Sequence, residues 1–504
     1  MDRATEHERP AKRVKRDGTE AASTPPPSSH GNEDLDMEES GFVPDNNAAH
    51  GSDLYLDTVN RVTLDFDFEK VCSVSLSNIN VYGCLVCGTY FQGRGRNSYA
   101  YAHSIHDDHH VFMNLETTKV YVLPDGYAVS DPSLEDIAFV LSPSFSRSGV
   151  ALLSTAAHLS KPSYDLSSKP YTSGYIGLNN IKRNDHMNVI IHSLLHVPPL
   201  RDFLLLSRFG GKQPELVKRF ATLAKKLWNP RLFKSQVSPH EFLQEVGRAS
   251  GGKFRLETQG DPVEFLRWLL NELHRDLGGT KRNNSSIIFS TFQGKVRTET
   301  QQVVVRPDAE NHKPVFDIDR EIKATTSPFL FLAVDLPPPP LFQDAVEKNI
   351  IPQVGIHTVL AKYDGINTQE SRGQLRRFNC QQLPPYLIIH YKRFTKNNFV
   401  EEKNPTVVNF PLKGVDFRDY LSSAEEHPPP AYDLIANVIH ESVAGTTRDK
   451  ENTVWKVQLR AGSGENEKWF QIQDLIVEEI RKEMIFLGET VIQIWERQKP
   501  TVES

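Results

Sequence analysis

Cysteine is scarce in this chain, with only four among 504 residues. That number is too small for the disulfide framework that stabilises many small secreted domains. Apolar runs of membrane-spanning length are also missing, and the first residues are too polar for a secretory signal. These absences predict an intracellular, multi-domain protein without a membrane span. The net charge of −6 argues against a broad nucleic-acid surface.

Core-forming side chains are nearly absent from residues 1–52, which are rich in Pro, Ser, Asp and Glu. This composition predicts a disordered tail. Within it, residues 12–16 (KRVKR) form a short basic cluster. Such a cluster is typical of a nuclear import signal or a nucleic-acid contact, although a solvated run of charge has the same composition.

Metal-ligand chemistry is concentrated after this tail. Four residues have the required side chains at suggestive spacing: Cys84, Cys87, His103 and His109. A Cys-x2-Cys pair followed by two histidines is close to the pattern of structural zinc sites, whose four ligands leave no open position for catalysis. We predict a structural zinc ion here, with His106 or His110 as substitute ligands. The alternative is a pair of free thiols beside surface histidines.

Residues 177–188 (GLNNIKRNDHMN) precede an apolar helical pattern. The segment resembles the cysteine box of the ubiquitin-specific proteases, and Asp185 stands where that family has its nucleophilic cysteine. Asn180 matches the family's oxyanion-hole position. A carboxylate does not replace a polarisable thiolate that attacks a carbonyl and then leaves. Loss of the nucleophile lowers turnover by on the order of a million-fold, so the resemblance implies a protease fold without protease activity.

Three further segments follow the order of the same family. Residues 259–266 (QGDPVEFL) resemble its helix box, with Asp261 as the N-cap and Pro262 at the first helical position. Residues 383–394 (LPPYLIIHYKRF) resemble a central strand, and residues 432–440 resemble the strand before the catalytic histidine. Their common order supports the resemblance over a chance match of one turn.

The catalytic histidine expected after that strand is missing. Val454 or its neighbour fills its position, and no histidine follows His440. We interpret His440 as a structural residue of the preceding strand and not as a replacement base. Gln473 and Asp474 are the candidates for the acidic residue that orients the histidine. At most the third member of a Cys/His/Asp triad therefore remains.

The same family also accounts for the predicted metal site. Residues 53–150 resemble its UBP-type zinc finger, which can hold the C-terminal Gly-Gly of ubiquitin, and Arg94 lies in the corresponding Gly-Arg motif. A later cysteine pair of that finger is replaced in residues 120–124, which argues against ubiquitin binding and favours protein docking. The remaining thiol, Cys380, is expected to be a buried spare cysteine.

The resemblance implies an α+β protein in four parts. These are the disordered tail (1–52), the UBP-type zinc finger (53–150), a linker (151–172) and a papain-like domain with thumb, palm and fingers (173–500). The last part is expected to be a ubiquitin-specific-protease-like domain without activity. Its fingers lack the paired cysteines that hold zinc in many family members, so sheet packing must stabilise them.

A UBP finger joined to such a domain resembles the catalytically inactive, splicing-associated branch of the family. This resemblance implies a nuclear, non-enzymatic role in pre-mRNA splicing, through contacts with U5 and other U4/U6.U5 tri-snRNP proteins and with indirect contact to RNA. Two alternatives stay open. One is an adaptor that binds ubiquitin or a ubiquitin-like protein, and the other is an active deubiquitinase with an unidentified nucleophile.

Overall fold

The structure is a computed structural model of the chain. It describes residues 55–499, apart from 212, 308–313, 319–320, 339–350, 372, 397–400, 423–429 and 443–452. The predicted disordered tail and its basic cluster lie outside the described residues.

The first described region is a small antiparallel sheet with two short helices. Its strands have the order β2-β1-β3-β4-β5. The elements are β1 (Val81–Cys84), β2 (Tyr90–Gln92), α1 (Tyr99–His106), β3 (Val111–Asn114), β4 (Val120–Val122), β5 (Tyr127–Val129) and α2 (Glu135–Leu141), with 3-10 turns at Leu56–Thr58 and Pro132–Leu134. Each face of the sheet is covered. Val111 and Met113 belong to one apolar cluster, and Phe112 belongs to another, because neighbouring strand residues point to opposite faces.

The segment predicted as a linker, 151–172, contains regular structure. Its elements, with the helix that enters it, are α3 (Arg147–Leu152), α4 (Ala156–Ser160), β6 (Ser163–Tyr164) and β7 (Pro170–Tyr171). Tyr171 is buried in the largest hydrophobic cluster, and its hydroxyl accepts a hydrogen bond from the Leu232 amide at 2.7 Å. The end of this segment is therefore packed against the helical region that follows.

That helical region forms the thumb. Its elements are β8 (Gly177–Leu178), α5 (Asp185–Leu195), α6 (Pro198–Leu206), α7 (Glu215–Leu227), β9 (Gln236–Val237), α8 (His240–Ala249), α9 (Pro262–Asp276) and α10 (Ile287–Phe292). As predicted, α9 begins with Asp261 as its cap: the carboxylate accepts from the Val263 amide at 2.8 Å, and Pro262 is the first helical residue.

Helix α5 is buried on every side, and all eleven of its residues are inaccessible to solvent or nearly so. A helix without an exposed polar face must be enclosed by other elements, and α5 contacts α6, α9 and the long strands of the palm. Among the described residues, no single helix has the length and hydropathy of a membrane span. The bent pair α5 and α6, with an angle of 88°, meets that test only when both helices are joined.

Strands dominate the rest of the chain. In order they are β10 (Gly294–Pro307), β11 (Pro314–Ile318), β12 (Lys323–Phe329), β13 (Leu332–Asp335), β14 (Gln353–Gly355), then α11 (Ile356–Leu360), β15 (Gln369–Ser371), β16 (Gln374–Gln382), β17 (Tyr386–Lys392), β18 (Phe394–Lys396), β19 (Glu401–Lys403), β20 (Val407–Asn409), β21 (Val415–Asp416), β22 (Ala431–Ser442), β23 (Thr453–Ala461), β24 (Lys468–Gln473), β25 (Ile476–Ile480) and β26 (Thr490–Arg497). Short 3-10 helices lie at Ala361–Tyr363, Arg418–Tyr420, Gly464–Asn466 and Lys482–Leu487.

These strands form two large sheets and two separate strand pairs, β14 with β20 and β18 with β19. In the fingers, β10 pairs with β11, β12 and β16, and β16 also pairs with β15. Cys380 lies on β16 and is fully buried, as expected, and burial raises the pKa of its thiol to about 12. The palm sheet has the order β13-β17-β26-β22-β23-β24-β25, with β21 beside β22.

The palm sheet is covered on both faces. Along β17, Leu387, Ile389 and Tyr391 belong to one hydrophobic cluster, while Ile388 belongs to the cluster that includes α5 and the thumb. This division follows from the two-residue period of a strand. Burial on both faces explains why the strand reads as a nearly continuous apolar run in the sequence.

The first described region, residues 55–141, is called the finger region here and differs from the fingers sheet. Polar contacts fix it to the thumb. The buried Lys226 ammonium on α7 donates to the Phe66 carbonyl at 2.8 Å and to the Asp67 carboxylate at 3.0 Å. The second Asp67 oxygen accepts from the Ser238 amide at 2.9 Å. Phe233 completes an apolar cluster of the finger region. We call the Lys226–Asp67 pair the finger clamp.

Candidate metal centre and candidate catalytic centre

Four side chains with metal-ligand chemistry converge in the finger region. They are the residues predicted from the sequence: Cys84, Cys87, His103 and His109. Their donor atoms all lie within 4.8 Å of one another. The Cys87 sulfur is 3.5 Å from His103 Nε2, which is 3.1 Å from His109 Nδ1. Two sulfurs and two imidazole nitrogens form a donor set that suits tetrahedral Zn²⁺.

Neighbouring groups orient these donors. Asp107 Oδ2 lies 2.6 Å from His103 Nδ1, which holds the proton on Nδ1 and turns the lone pair of Nε2 toward the other donors. The proximity of the two cysteine side chains lowers the pKa of Cys87 to about 4 and raises that of Cys84. A thiolate is the form in which cysteine binds a metal.

The turn that carries the two cysteines depends on a glycine. At Gly88, φ is +78° and a Cβ would lie 2.4 Å from the Thr63 carbonyl oxygen, so this turn requires glycine.

The two substitute histidines do not join this cluster. Both ring nitrogens of His110 are engaged, Nδ1 with the Leu123 carbonyl at 2.7 Å and Nε2 with Asp108 at 2.9 Å. The His106 side chain is 87% exposed and contacts Asp107. Of the ligand sets that the sequence allowed, the structure therefore brings together the one with His103 and His109.

The second site lies where α5 begins, at Asp185, which is 6% exposed. Its Oδ2 accepts from Gln259 Nε2 at 2.5 Å and from the Trp455 amide at 3.3 Å. Oδ1 has no hydrogen-bond partner among the described residues. A carboxylate on the first residue of a helix is stabilised by the helix dipole. Asp185 therefore links the thumb to the palm strand β23.

Asn180, the predicted oxyanion-hole residue, is engaged in the fold. Its Nδ2 donates to Asp474 Oδ2 at 2.9 Å, and its Oδ1 accepts from the Asn184 amide at 3.1 Å. Asp474 Oδ1 accepts from Asn188 Nδ2 at 3.0 Å. Burial raises the pKa of Asp474. The structure brings Asp474 to the centre, whereas Gln473 precedes it at the end of β24.

The remaining predicted positions lie on β22 and β23. Val454 is half-buried and pairs with Glu441, and the next residue, Trp455, pairs with His440. The His440 ring lies 4.6 Å from the Trp455 ring, centroid to centroid, and is buried. Burial lowers the pKa of His440 to about 3, so the ring is neutral near pH 7.

Sequence reasoning missed the role of Gln259. This residue is the first letter of the helix box at 259–266, but nothing in one sequence shows that its amide reaches Asp185. The Trp455 contact was also missed, because it uses a backbone amide that any residue would supply. The Asp185 carboxylate is thus held by the Gln259 side-chain amide and by the Trp455 backbone N–H. This arrangement is suited to cross-linking the three segments that carry these residues.

The fold and these two sites define a class of protein. A helical thumb, a hairpin-rich fingers sheet and a palm sheet enclose a buried helix that starts at the candidate catalytic centre, and a Cys/His cluster precedes them. This is the architecture of a ubiquitin-specific-protease domain with a UBP-type zinc finger.

Two family patterns match the sequence. One, described as "Ubiquitin carboxyl-terminal hydrolase", matches residues 176–499, and the other, described as "Zn-finger in ubiquitin-hydrolases and other protein", matches residues 72–134. The first covers more than half of the chain. The chain therefore belongs to the ubiquitin carboxyl-terminal hydrolase family.

Several relatives are similar over most of their length. "Probable mRNA-splicing protein ubp10" of Schizosaccharomyces pombe is 50% identical over 452 residues, which are 88% of each chain. "Ubiquitin carboxyl-terminal hydrolase 39" of Homo sapiens is 47% identical over 461 residues, covering 88% of this chain and 80% of the relative. "Pre-mRNA-splicing factor SAD1" of Saccharomyces cerevisiae is 33% identical over 457 residues, covering 88% and 93%.

A solved structure is similar in both sequence and fold. The "Crystal structure of an essential yeast splicing factor" superposes with a TM-score of 0.70 and 31% identity, covering 88% of this chain and 100% of that one. Proteins named as splicing factors thus share this protease-type fold.

Proposed function

We propose that this chain is a non-enzymatic splicing factor, a pseudo-deubiquitinase scaffold that supports assembly or stability of the U4/U6.U5 tri-snRNP. The observation that carries the proposal is the environment of Asp185. The residue at the family's nucleophile position is a carboxylate bound by Gln259 and by the backbone of Trp455. Both contacts join the thumb to the palm. We therefore interpret the Asp185 carboxylate as a structural group and not as a nucleophile.

The chemistry of the surrounding groups supports the absence of turnover. Acyl transfer by a cysteine protease needs a thiolate, a base beside it and free donors for the oxyanion. Val454 supplies no base, and His440 is buried against aromatic rings. The Asn180 amide already donates to Asp474. The residual groups serve as structural cross-links.

The zinc finger is proposed to hold a structural zinc ion on Cys84, Cys87, His103 and His109. Those side chains would supply all four ligands, so the ion would stabilise the finger without reacting with a substrate. We also propose that the finger and the protease-like domain, with limits near 53–150 and 173–500, are both required for the scaffold. The matching family patterns lie within these limits.

The names of the relatives support a place in pre-mRNA splicing. We propose U5 and other tri-snRNP proteins as partners, a nuclear location and indirect contact with RNA. A cleft shaped for a folded protein can keep a binding role when its chemistry is absent, because binding depends on surface shape and not on the nucleophile.

The experiment combines capture with an activity assay. The tagged full chain is recovered from nuclear extract, and its bound RNAs and proteins are identified; the purified chain is incubated with a fluorogenic ubiquitin C-terminal conjugate. We expect U4, U5 and U6 RNAs with tri-snRNP proteins, and no fluorophore release. Ubiquitin cleavage without snRNAs would overturn the proposal and direct attention to Cys380 as a nucleophile.

Two variants test whether Asp185 or Cys380 contributes to capture or to cleavage. Asp185→Asn keeps the side-chain shape and one acceptor oxygen, so we expect unchanged capture of snRNAs and unchanged lack of cleavage. Cys380→Ala removes a buried thiol on β16 and should likewise leave both readouts unchanged. Binding of free ubiquitin with no snRNA in the captured material would favour the ubiquitin-binding adaptor instead.

A further inference from the structure

A group of exposed aliphatic side chains lies in the finger region, in the loop at 72–80 that precedes β1. Val74, Leu76 and Ile79 are 58%, 76% and 65% exposed. Single exposed apolar residues are ordinary on protein surfaces, but several on one short loop mark an interaction surface. We call these three residues the aliphatic loop.

The aliphatic loop is held in place by backbone hydrogen bonds. The Cys72 amide donates to the Ser77 carbonyl at 2.8 Å, and the Ser73 amide donates to the Tyr90 carbonyl of β2 at 2.9 Å. Leu76 has φ of +58°, a left-handed conformation that is unfavourable for a residue with a side chain of this size. This exposed leucine gains no core packing in return. The loop therefore presents it outward in a fixed geometry.

Positive charge borders the aliphatic loop. Arg94 and Arg96 are exposed just after β2, and the Gly93 amide donates to the Asn80 carbonyl at 2.9 Å, which joins this segment to the loop. Neither guanidinium forms an ion pair within the part of the chain that the structure describes. The Arg94 guanidinium lies 4.5 Å from the centroid of the Tyr121 ring, which restrains it.

Acidic residues are missing from the same stretch. Residues 70–106 contain no Asp or Glu, although the whole chain has 64 of them and a net charge of −6. This segment of an acidic chain is therefore only apolar, polar and basic. A complementary partner surface must present apolar side chains together with negative charge.

We propose that the aliphatic loop and the two arginines form a docking surface for a protein segment in which aliphatic or aromatic side chains are flanked by Asp or Glu. Protein is favoured over RNA because the exposed side chains of the loop are aliphatic, whereas single-stranded RNA is bound through stacking on aromatic rings. The proposal is independent of the candidate catalytic centre and of the assignment to splicing.

The test measures fluorescence anisotropy of three labelled probes with the full chain. The first is a 16-residue peptide of Leu, Phe, Asp and Glu; the second has Lys at every acidic position; the third is a 12-nucleotide oligouridine. We expect the acidic peptide to bind at least roughly tenfold more tightly than either other probe. Binding of the acidic peptide should weaken as salt increases, because the arginines contribute through charge.

Variants locate the binding to this surface. We expect the affinity for the acidic peptide to fall by roughly tenfold in a triple variant, Val74→Ser with Leu76→Asn and Ile79→Ser. We expect a similar loss in the double variant Arg94→Ala with Arg96→Ala. Asparagine adopts the left-handed conformation readily, so Leu76→Asn leaves the loop intact. Leu487→Asn and Arg282→Ala, at exposed positions of the protease-like domain, are the controls and should change nothing.

Three results would overturn the proposal. They are equal or tighter binding of the basic peptide or the RNA, an affinity that the loop and arginine variants leave unchanged, and the absence of binding by the acidic peptide at high micromolar concentration. The melting temperature of each variant shows whether the finger is still folded. A folded variant with full affinity would place the binding elsewhere.

Discussion

The finger clamp offers a quantitative test of how the finger is fixed to the thumb. Lys226→Met keeps the length and apolar stem of the side chain but removes the ammonium, so the Phe66 carbonyl and one Asp67 oxygen lose their donor. Hydrogen bonds to charged groups contribute about 1.5–3 kcal/mol each. Breaking a buried ion pair costs about 3–5 kcal/mol. Asp67 is partly exposed and keeps the Ser238 amide, so we expect a net loss of about 2–3 kcal/mol.

The assay is urea unfolding followed by tryptophan fluorescence, since Trp228 is buried beside the carboxyl end of α7. A double-mutant cycle of Lys226→Met and Asp67→Asn should give a coupling energy of about 1–3 kcal/mol. Lys234→Met is the matched control. It removes the Asp65 pair of 2.7 Å, in which the lysine is half exposed, and should cost less than about 1 kcal/mol. Additive effects of the two clamp substitutions would refute the reasoning.

Three further predictions concern the metal centre, pH and the turn before α5. Cys87→Ser, or treatment with a chelator, should release about one zinc ion per chain and lower the melting temperature, measured by elemental analysis and circular dichroism. Burial lowers the pKa of His196 to about 4 and that of His440 to about 3, so both are neutral when folded. Unfolded histidine binds a proton below about pH 6.5, so stability present at neutral pH should fall as the pH decreases from about 6.5 towards 4, in urea titrations. Gly177→Ala places a Cβ 2.6 Å from the Leu475 Cα, and unfolding should show a loss of more than about 1 kcal/mol; an unchanged midpoint would mean that the two segments separate easily.

Local patterns predicted a large part of the candidate sites. The Cys-x2-Cys pair and the later histidines predicted the four donor side chains that the structure brings within 4.8 Å of one another, because two cysteines on one tight turn face the same side. The choice of His103 and His109 over their neighbours needed the fold, since helix α1 and the Asp107 and Asp108 contacts decide which ring nitrogens face the sulfurs. Spacing alone leaves the neighbouring histidines equivalent.

At the candidate catalytic centre, too, the sequence predicted some features and the structure decided others. The sequence predicted that Asp185 stands at the family's nucleophile position, because the surrounding motif defines that position. It left Gln473 and Asp474 as alternatives, and the structure brings Asp474 to Asn180 and Asn188. Neighbouring residues at the end of a strand point to different sides, and only the turn after β24, where Asp474 has φ of +50°, decides which side chain reaches the site.

By itself the sequence determined the elements and their order: the buried helix after residue 184, the cap of α9 and the apolar strands of the palm. These depend on periodicity, capping and motif order, which act over a few neighbouring residues. Only the tertiary structure decided the contacts between distant segments, such as Gln259 with Asp185 and Lys226 with Asp67. Those pairs join residues 74 and 159 positions apart, and their geometry depends on how whole elements pack, which no local pattern records.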